Sequence, residues 1–220
     1  MSLVFPAPEP FVVPVAGSDA LFPVSRIFCV GRNYAAHAAE MGSEVDREAP
    51  FYFTKTPVNA LHTGATLPYP PGTENFHYEM ELAVYLNGTD VFGYGCALDM
   101  TRRDLQIRER KKQRPWDLGK DLEGGAVMAA ITPATDVDDI HTHHIALTQN
   151  GAEKQSAPIA DMVWSVPDLI SHLSGFYTLR PGDVILTGTP AGVGPVTPGD
   201  VLHGTINGLA PVDLTITDPT

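Results

Sequence analysis

The chain has 220 residues, 43% of them hydrophobic and 18% charged, with 14 Lys and Arg against 26 Asp and Glu and a formal net charge of -12. This length supports one sizeable hydrophobic core in a single domain, and the acidic balance disfavours nucleic acid and anionic membrane as partners. The opening MSLVFPAPEPFVVPV has no basic n-region, and no stretch approaches the ~20 apolar residues of a membrane span, so a soluble, cytoplasmic protein is expected.

Residues 1–20 are proline-rich and aperiodic and are expected to form an extended arm, with residues 21–220 as the folded domain. RIFCVGRNYAAHAAEMG then gives a short apolar strand, a glycine turn and an alanine-rich helix, with Asn33 as expected N-cap and Gly42 as the residue just past the end. That helix places His37 and Glu40 on one face. APFYFTKTP is a second strand, LPYPPGTEN a loop, and NFHYEMELAVYL a third strand. GYGCALDMTRRDLQIRERKK runs from strand into a charged helix that must stop before Pro115.

After residue 125 the chain breaks into short apolar runs punctuated by glycine and proline. Asn150-Gly151 between alternating runs predicts a two-residue hairpin. Pro-Gly-Asp at 181–183 and again at 198–200 predicts type II turns, each launching a strand. SVPDLISHLSGF is the only later helix expected. The class is therefore α+β: a β-rich mixed barrel or roll with few helices. Cys29 and Cys96 are too few and too distant for a disulfide framework or zinc site and are expected as reduced core residues. The HTHH run at 141–144 is expected at the surface.

The strand NFHYEMELAVYL raises a question of its own. Tyr78, Met80, Leu82, Val84 and Leu86 suit a buried strand, yet Glu79 and Glu81 occupy alternate positions, which share a face. They belong either to a solvent-facing strand surface or to a shared divalent cation, which would relieve their repulsion. Hard oxygen donors favour Mg, Mn or Ca over zinc or copper. Asp99, at the end of an apolar strand, is either a third ligand or the N-cap of the charged helix, in competition with Thr101.

His37 beside Glu40 is a candidate general base with an orienting carboxylate. Eight of the 14 Lys and Arg fall between residues 102 and 120; among them Lys120, beyond the helix break, is the candidate to face a cleft and hold an anion. TGTPAGVG lacks the ending of a phosphate-binding P-loop, but its backbone amides and Thr189 suit a carboxylate.

Taken together and in this order, VGRNYAAHAAEMG, FHYEMELAVYL, GYGCALDMTRRD, PWDLGKDLEG and ILTGTPAGVGPV resemble the fumarylacetoacetate hydrolase family, in its single-domain branch of acylpyruvate and fumarylpyruvate hydrolases. The resemblance covers about residues 25–210 and implies a mixed β-sandwich roll, a homodimer, and Mg2+ or Mn2+ (with Ca2+ as a substitute) held by Glu79, Glu81 and Asp99. It implies His37 and Glu40 as the catalytic pair and Arg103, Gln106, Lys120, Thr189 and Lys55 as substrate-binding positions. His77 stands where relatives often carry another residue before the first ligand.

The implied activity is hydrolysis of a carbon-carbon bond in a 2,4-dioxo acid, fumarylpyruvate or a related acylpyruvate, in aromatic catabolism. The rivals are oxaloacetate decarboxylation, isomerisation of an unsaturated 2-oxo diacid, and a non-enzymic dicarboxylate-binding module. The distal pocket is expected from loops such as GSEVDREAP.

Overall fold

A computed structural model describes residues 3–220; residues 1 and 2 of the expected arm lie outside the described residues. In chain order the strands β1 (Val12–Pro14), β2 (Leu21–Pro23) and β3 (Arg26–Gly31) precede helix α1 (Ala35–Glu40). There follow β4 (Phe51–Lys55), β5 (Leu61–His62), β6 (Ala65–Pro68), β7 (Phe76–Tyr78), β8 (Met80–Asn87), β9 (Asp90–Asp99) and β10 (Thr101–Arg102). Helices α2 (Arg103–Lys111) and α3 (Asp117–Lys120) lead into β11 (Ala126–Met128), β12 (Thr132–Pro133), β13 (His144–Gln149) and β14 (Ala152–Pro158). Helix α4 (Val166–Ser174) and strands β15 (Asp183–Leu186), β16 (Gly194–Pro195), β17 (Val201–Ile206) and β18 (Val212–Thr217) complete the fold.

The centre is a mixed sheet in the order β4-β3-β15-β8-β9-β11-β5, with β12 added on β9; β3 and β15 run parallel and β8 and β9 antiparallel. A second sheet, β14-β13-β17-β18-β6, packs across it. This is the β-rich roll with few helices that the sequence predicts.

One core was expected, but the central sheet divides it. Side chains alternate along each strand, so Leu82, Val84 and Leu86 of β8 join the larger cluster with Ile145, Leu202, Leu214 and the α4 residues Leu169 and Leu173. Their neighbours Ala83 and Tyr85 face a second cluster, with Cys29, Ala97 and Leu186, which the β1–β2 hairpin covers through Val13 and Phe22. The segment Met80–Leu86 is buried on both faces, which removes the solvent-facing strand surface as an account of Glu81. Cys29 and Cys96 are both buried and free. Burial pushes the Cys96 thiol up to about 12.

Local signals set most boundaries. Asn150 and Gly151 both take positive φ, 53° and 78°, as a type I′ hairpin between β13 and β14 requires. Both Pro-Gly-Asp turns precede strands, β15 and β17. Ser165 and Asp168 form a reciprocal capping box at the start of α4. Gly42 follows the end of α1, where its amide bonds Ala39 and that of Ser43 bonds Ala38, a Schellman closure.

Asn33 is not the cap of α1. The N-cap position is Tyr34, with no side-chain bond; the Asn33 amide instead donates to Trp164 O and Thr187 O and accepts from Trp164 N. A buried asparagine with three main-chain partners ties the α1 turn to two distant loops. Nor do Asp99 or Thr101 cap α2, whose N-cap position is Arg102 without a side-chain cap. The one-turn helix α3, which carries Lys120, was not expected because its DLGK sequence contains a glycine and has no apolar period. Among the described residues no helix is long and apolar enough to cross a membrane.

Candidate active site

Three carboxylates meet where β8 and β9 begin and end. The β8–β9 register pairs Glu81 with Ala97 and Met80 with Leu98, and Asp99 N donates to Glu79 O at 2.8 Å. Glu79 and Asp99 thus stand opposite each other, with Glu81 two residues along the same face, and one oxygen from each lies within 4.8 Å of the other two. All three are nearly sealed from solvent: Glu79 is 4% exposed, Glu81 1% and Asp99 0%. Among the described residues this is the only such acidic, histidine or cysteine cluster of three.

An irregularity in the ladder makes the triangle. Asn87 faces Asp90 and Leu86 faces Val91, but the register shifts between Tyr85 and Leu86, so Tyr85 faces Gly93. Without that extra residue Glu79 would stand opposite Leu98, and Asp99 would point to the other face of the sheet.

Cations surround the triad unequally. Lys120, from α3, is 2% exposed and places Nζ 2.7 Å from Glu79 Oε2, 2.7 Å from Asp99 Oδ2 and 2.8 Å from Thr101 Oγ1. Arg103, at the start of α2, donates to Glu79 Oε1 and to Gln106 Oε1. Burial opposes ionisation of Glu79, but Lys120 and Arg103 outweigh it and hold the carboxyl far below the ordinary range. Burial likewise works against the Lys120 ammonium, and Asp99 and Glu79 more than compensate, raising its pKa.

Glu81 has no ion-pair partner among the described residues; its Oε2 accepts from Gly188 N at 2.8 Å. Burial first, then the neighbouring Asp99 and Glu79, push its pKa well above the ordinary carboxylate value. Lys55 Nζ lies 2.8 Å from Asp99 Oδ1 but directs its hydrogen bonds to the carbonyls of Met100 and Lys120, leaving Oδ1 with no aligned donor. Glu81, a buried acid without a counter-ion among the described residues, thus stands in the triangle beside Glu79 and Asp99. This donor set, three hard oxygens in a closed space, fits a Mg2+- or Mn2+-class ion.

His37 and Glu40 meet as their helical spacing predicts, with Nδ1 3.3 Å from Glu40 Oε2. His37 lines the same cleft as Glu79 and Glu81. Burial lowers its pKa more than Glu79 and Glu40 raise it, so the imidazole is neutral near pH 7. Arg103, Gln106, Lys120 and Thr189 also line the cleft. Lys55 does not: it is sealed behind Asp99, where it balances charge.

The loop TGTPAGVG is used differently from the expectation. Its amides hold the protein's own acids, Gly188 N on Glu81 and Gly192 N at 3.2 Å from both oxygens of Glu40. Gly188 sits at φ 93°, and a Cβ there would lie 2.9 Å from Asn33 Cβ and 3.0 Å from Val30 O, so only glycine brings this amide to Glu81.

Gln155, unremarked in the sequence, organises the far side. It is buried on β14, accepts from Met80 N at 2.9 Å, and donates to Thr189 Oγ1 and Pro190 O, both at 2.8 Å. It fixes Thr189 and the start of β8 together. His77 accepts from Arg103 Nε at 3.5 Å, and burial followed by Arg103 lowers its pKa to about 4. The HTHH run lies at the surface, as expected, with His144 exposed, His141 and His143 partly exposed, and His143 Nδ1 2.5 Å from Asn207 O.

The family model described as fumarylacetoacetate (FAA) hydrolase C-terminal matches residues 26–217. A fumarylpyruvate hydrolase from Ralstonia sp is 45% identical over 189 residues, covering 80% of this chain and 98% of that protein. An oxaloacetate tautomerase of Escherichia coli (strain K12) is 38% identical, covering 85% and 90%. The crystal structure of fumarylpyruvate hydrolase from Pseudomonas aeruginosa in complex with Mn2+ and pyruvate superposes with a TM-score of 0.93 at 40% identity, covering 99% of this chain and 100% of that one.

Proposed function

Because the chain belongs to the fumarylacetoacetate hydrolase family, we propose that it is a metal-dependent hydrolase of 2,4-dioxo acids that splits fumarylpyruvate, or a close acylpyruvate, into pyruvate and an acid. The observation that carries this reading is His37, oriented by Glu40, in the same cleft as Glu79 and Glu81 of the acidic triangle. Decarboxylation and tautomerisation of oxaloacetate need no attacking water; hydrolysis does, and the His37–Glu40 pair is built to activate one.

In this reading Glu79, Glu81 and Asp99 hold Mg2+ or Mn2+. The bound ion supplies Lewis-acid stabilisation of charge on the 2-oxo oxygen of the substrate. Glu40 accepts from Nδ1-H of His37, which leaves the Nε2 lone pair to take a proton from water. The resulting hydroxide adds to the C4 carbonyl carbon. The C3–C4 bond then breaks, its electron pair passes to C3 and the adjoining carbonyl, and the proton held by His37 returns to C3 to give pyruvate. Arg103, Gln106, Lys120 and Thr189 bind and orient the 2-oxo acid. Lys55 balances Asp99 from behind. A homodimer, as the resemblance implies, completes the proposal; the mass in solution by light scattering tests it.

Incubation with Mn2+ or Mg2+ and fumarylpyruvate, with fumarate and pyruvate quantified by chromatography, tests the activity. Oxaloacetate and an unsaturated 2-oxo diacid run in parallel. Equal yields of fumarate and pyruvate are expected. Intact fumarylpyruvate beside oxaloacetate turnover would overturn the hydrolase reading in favour of enol chemistry without water.

A further inference from the structure

The cleft extends outward from the triad, and its outer part holds two arginines that the proposed mechanism leaves unused. Arg32, in the turn between β3 and α1, and Arg110, in the last turn of α2, both line the cleft and the groove that continues from it, together with Phe53 and Trp116. The chain has 26 acidic residues against 14 Lys and Arg, yet among the described residues neither of these arginines forms an ion pair. The neighbouring arginines on the same segment do: Arg108 and Arg114 both pair with Glu109.

Both guanidinium groups are held in place by other means. Arg32 lies over the rings of Phe51 and Trp116, 5.8 and 5.9 Å from their centroids. Arg110 Nη1 donates to Met41 O at 3.4 Å. Arg32 also adopts φ 59°, an uncommon conformation for a residue with a side chain. Burial and the like charge of Arg110 together lower the Arg32 pKa, and the only acid opposing them, Asp46, is itself occupied by the amides of Glu48 and Ala49. Two neighbouring cations, both half-buried, one of them over aromatic faces and neither in an ion pair among the described residues, make a receptor for an anion.

We propose that Arg32 and Arg110 form a subsite for a second carboxylate at the acyl end of the substrate, so that the enzyme selects acylpyruvates whose acyl group is itself a dicarboxylic acid. The inference rests on the reading above, in which the triad end of the cleft takes the 2-oxo acid. It places the substrate across the cleft: the 2-oxo acid at Arg103, Lys120 and Thr189, the scissile carbon beside His37, and the far carboxylate between the two arginines. The selecting residues then come from the β3–α1 turn and α2, with loop residue Ser43 only lining the wall.

The test compares fumarylpyruvate with crotonylpyruvate, in which a methyl group replaces the distal carboxylate. Two variants are used: Arg110→Met, and Arg32→Asn, since asparagine tolerates positive φ. Losing one charge-assisted bond is expected to raise KM for fumarylpyruvate ~10- to 100-fold in each variant. For crotonylpyruvate, kcat/KM is expected to stay within about twofold of wild type.

Equal losses on both substrates would mean general attraction of anions or structural damage and would overturn the proposal, as would no change on either. A second measurement is independent of turnover: calorimetric binding of fumarate and crotonate to the Mn2+-loaded protein. Wild type is expected to prefer fumarate at least ~10-fold and Arg110→Met to lose that preference. If wild type fails to cleave fumarylpyruvate but keeps this preference, the hydrolase reading falls and the anion subsite stands. Absence of the preference in wild type overturns the subsite.

Discussion

Replacing Lys120 by methionine puts the charge balance of the site under direct test. The Lys120 ammonium is 2% exposed and contacts Glu79, Asp99 and Thr101 at 2.7, 2.7 and 2.8 Å. Methionine keeps most of the aliphatic stem and removes the charge and all three donors. Glu79 would keep Arg103 and Asp99 would keep Lys55. Removing one partner of a buried ion pair costs ~3–5 kcal/mol, and with each acid retaining a second cation the lower end, about 3 kcal/mol, is expected. For a chain of this size each kcal/mol moves Tm by ~2–4 °C, so the variant should melt ~6–12 °C below wild type in EDTA.

A divalent ion should then reverse much of the loss. At 100 times its Kd an ion contributes about 2.7 kcal/mol, and it binds a cluster made more negative by the substitution. Scanning calorimetry of both proteins in EDTA and in Mn2+ reads both effects, with a larger Mn2+ gain in the variant. A deficit within ~2 °C in EDTA would refute the claim that Lys120 neutralises the cluster. An equal deficit in EDTA and Mn2+ would refute the link between this lysine and the ion site.

Three further outcomes follow from the same site. His37→Ala should lower kcat for fumarylpyruvate cleavage by ~10²–10⁴ while Mn2+ binding is retained. Because burial depresses the His37 pKa, the acid limb of kcat/KM in wild type should fall below the ordinary imidazole value of about 6.5, and a limb above it would contradict the assignment. In EDTA, Glu81 has a raised folded-state pKa, so its contribution to stability is complete below the unfolded-state carboxylate value and is lost as pH rises through the folded value. Saturating Mn2+ takes the place of that proton, so Tm between about pH 5 and 8 should decline less with Mn2+ than with EDTA; parallel profiles would refute it.

What the sequence made legible is what local chemistry specifies. The Asn150-Gly151 hairpin, the Pro-Gly-Asp turns, the capping of α4 and the His37–Glu40 pair all depend on residues within a few positions of each other. Glu79 and Glu81 are recognisable as a flaw in a buried strand and Asp99 as a candidate third partner, but spacing leaves Asp99 open between ligand and helix cap, because the register shift at Tyr85 and Leu86 decides whether Asp99 or Leu98 stands opposite Glu79. Local rules favoured a helix cap for Asp99; the register placed it in the triangle instead. Gln155 was invisible for a related reason: it lies 75 positions from Met80 and 34 from Thr189, on a strand whose pattern looks mostly exposed. Lys55 and Asn33 differ from expectation because long-range packing fixed their partners, one behind Asp99 and one across to the loops at Trp164 and Thr187.

The central claim is that Glu79, Glu81 and Asp99 hold one divalent ion, and calorimetric titration of Mn2+ into chelator-stripped protein tests it most directly. Wild type should bind one ion per chain with release of a proton from Glu81, and Glu81→Gln should bind at least ~10-fold more weakly without that release. Unchanged affinity in Glu81→Gln, or no binding to the wild-type chain, would contradict the account.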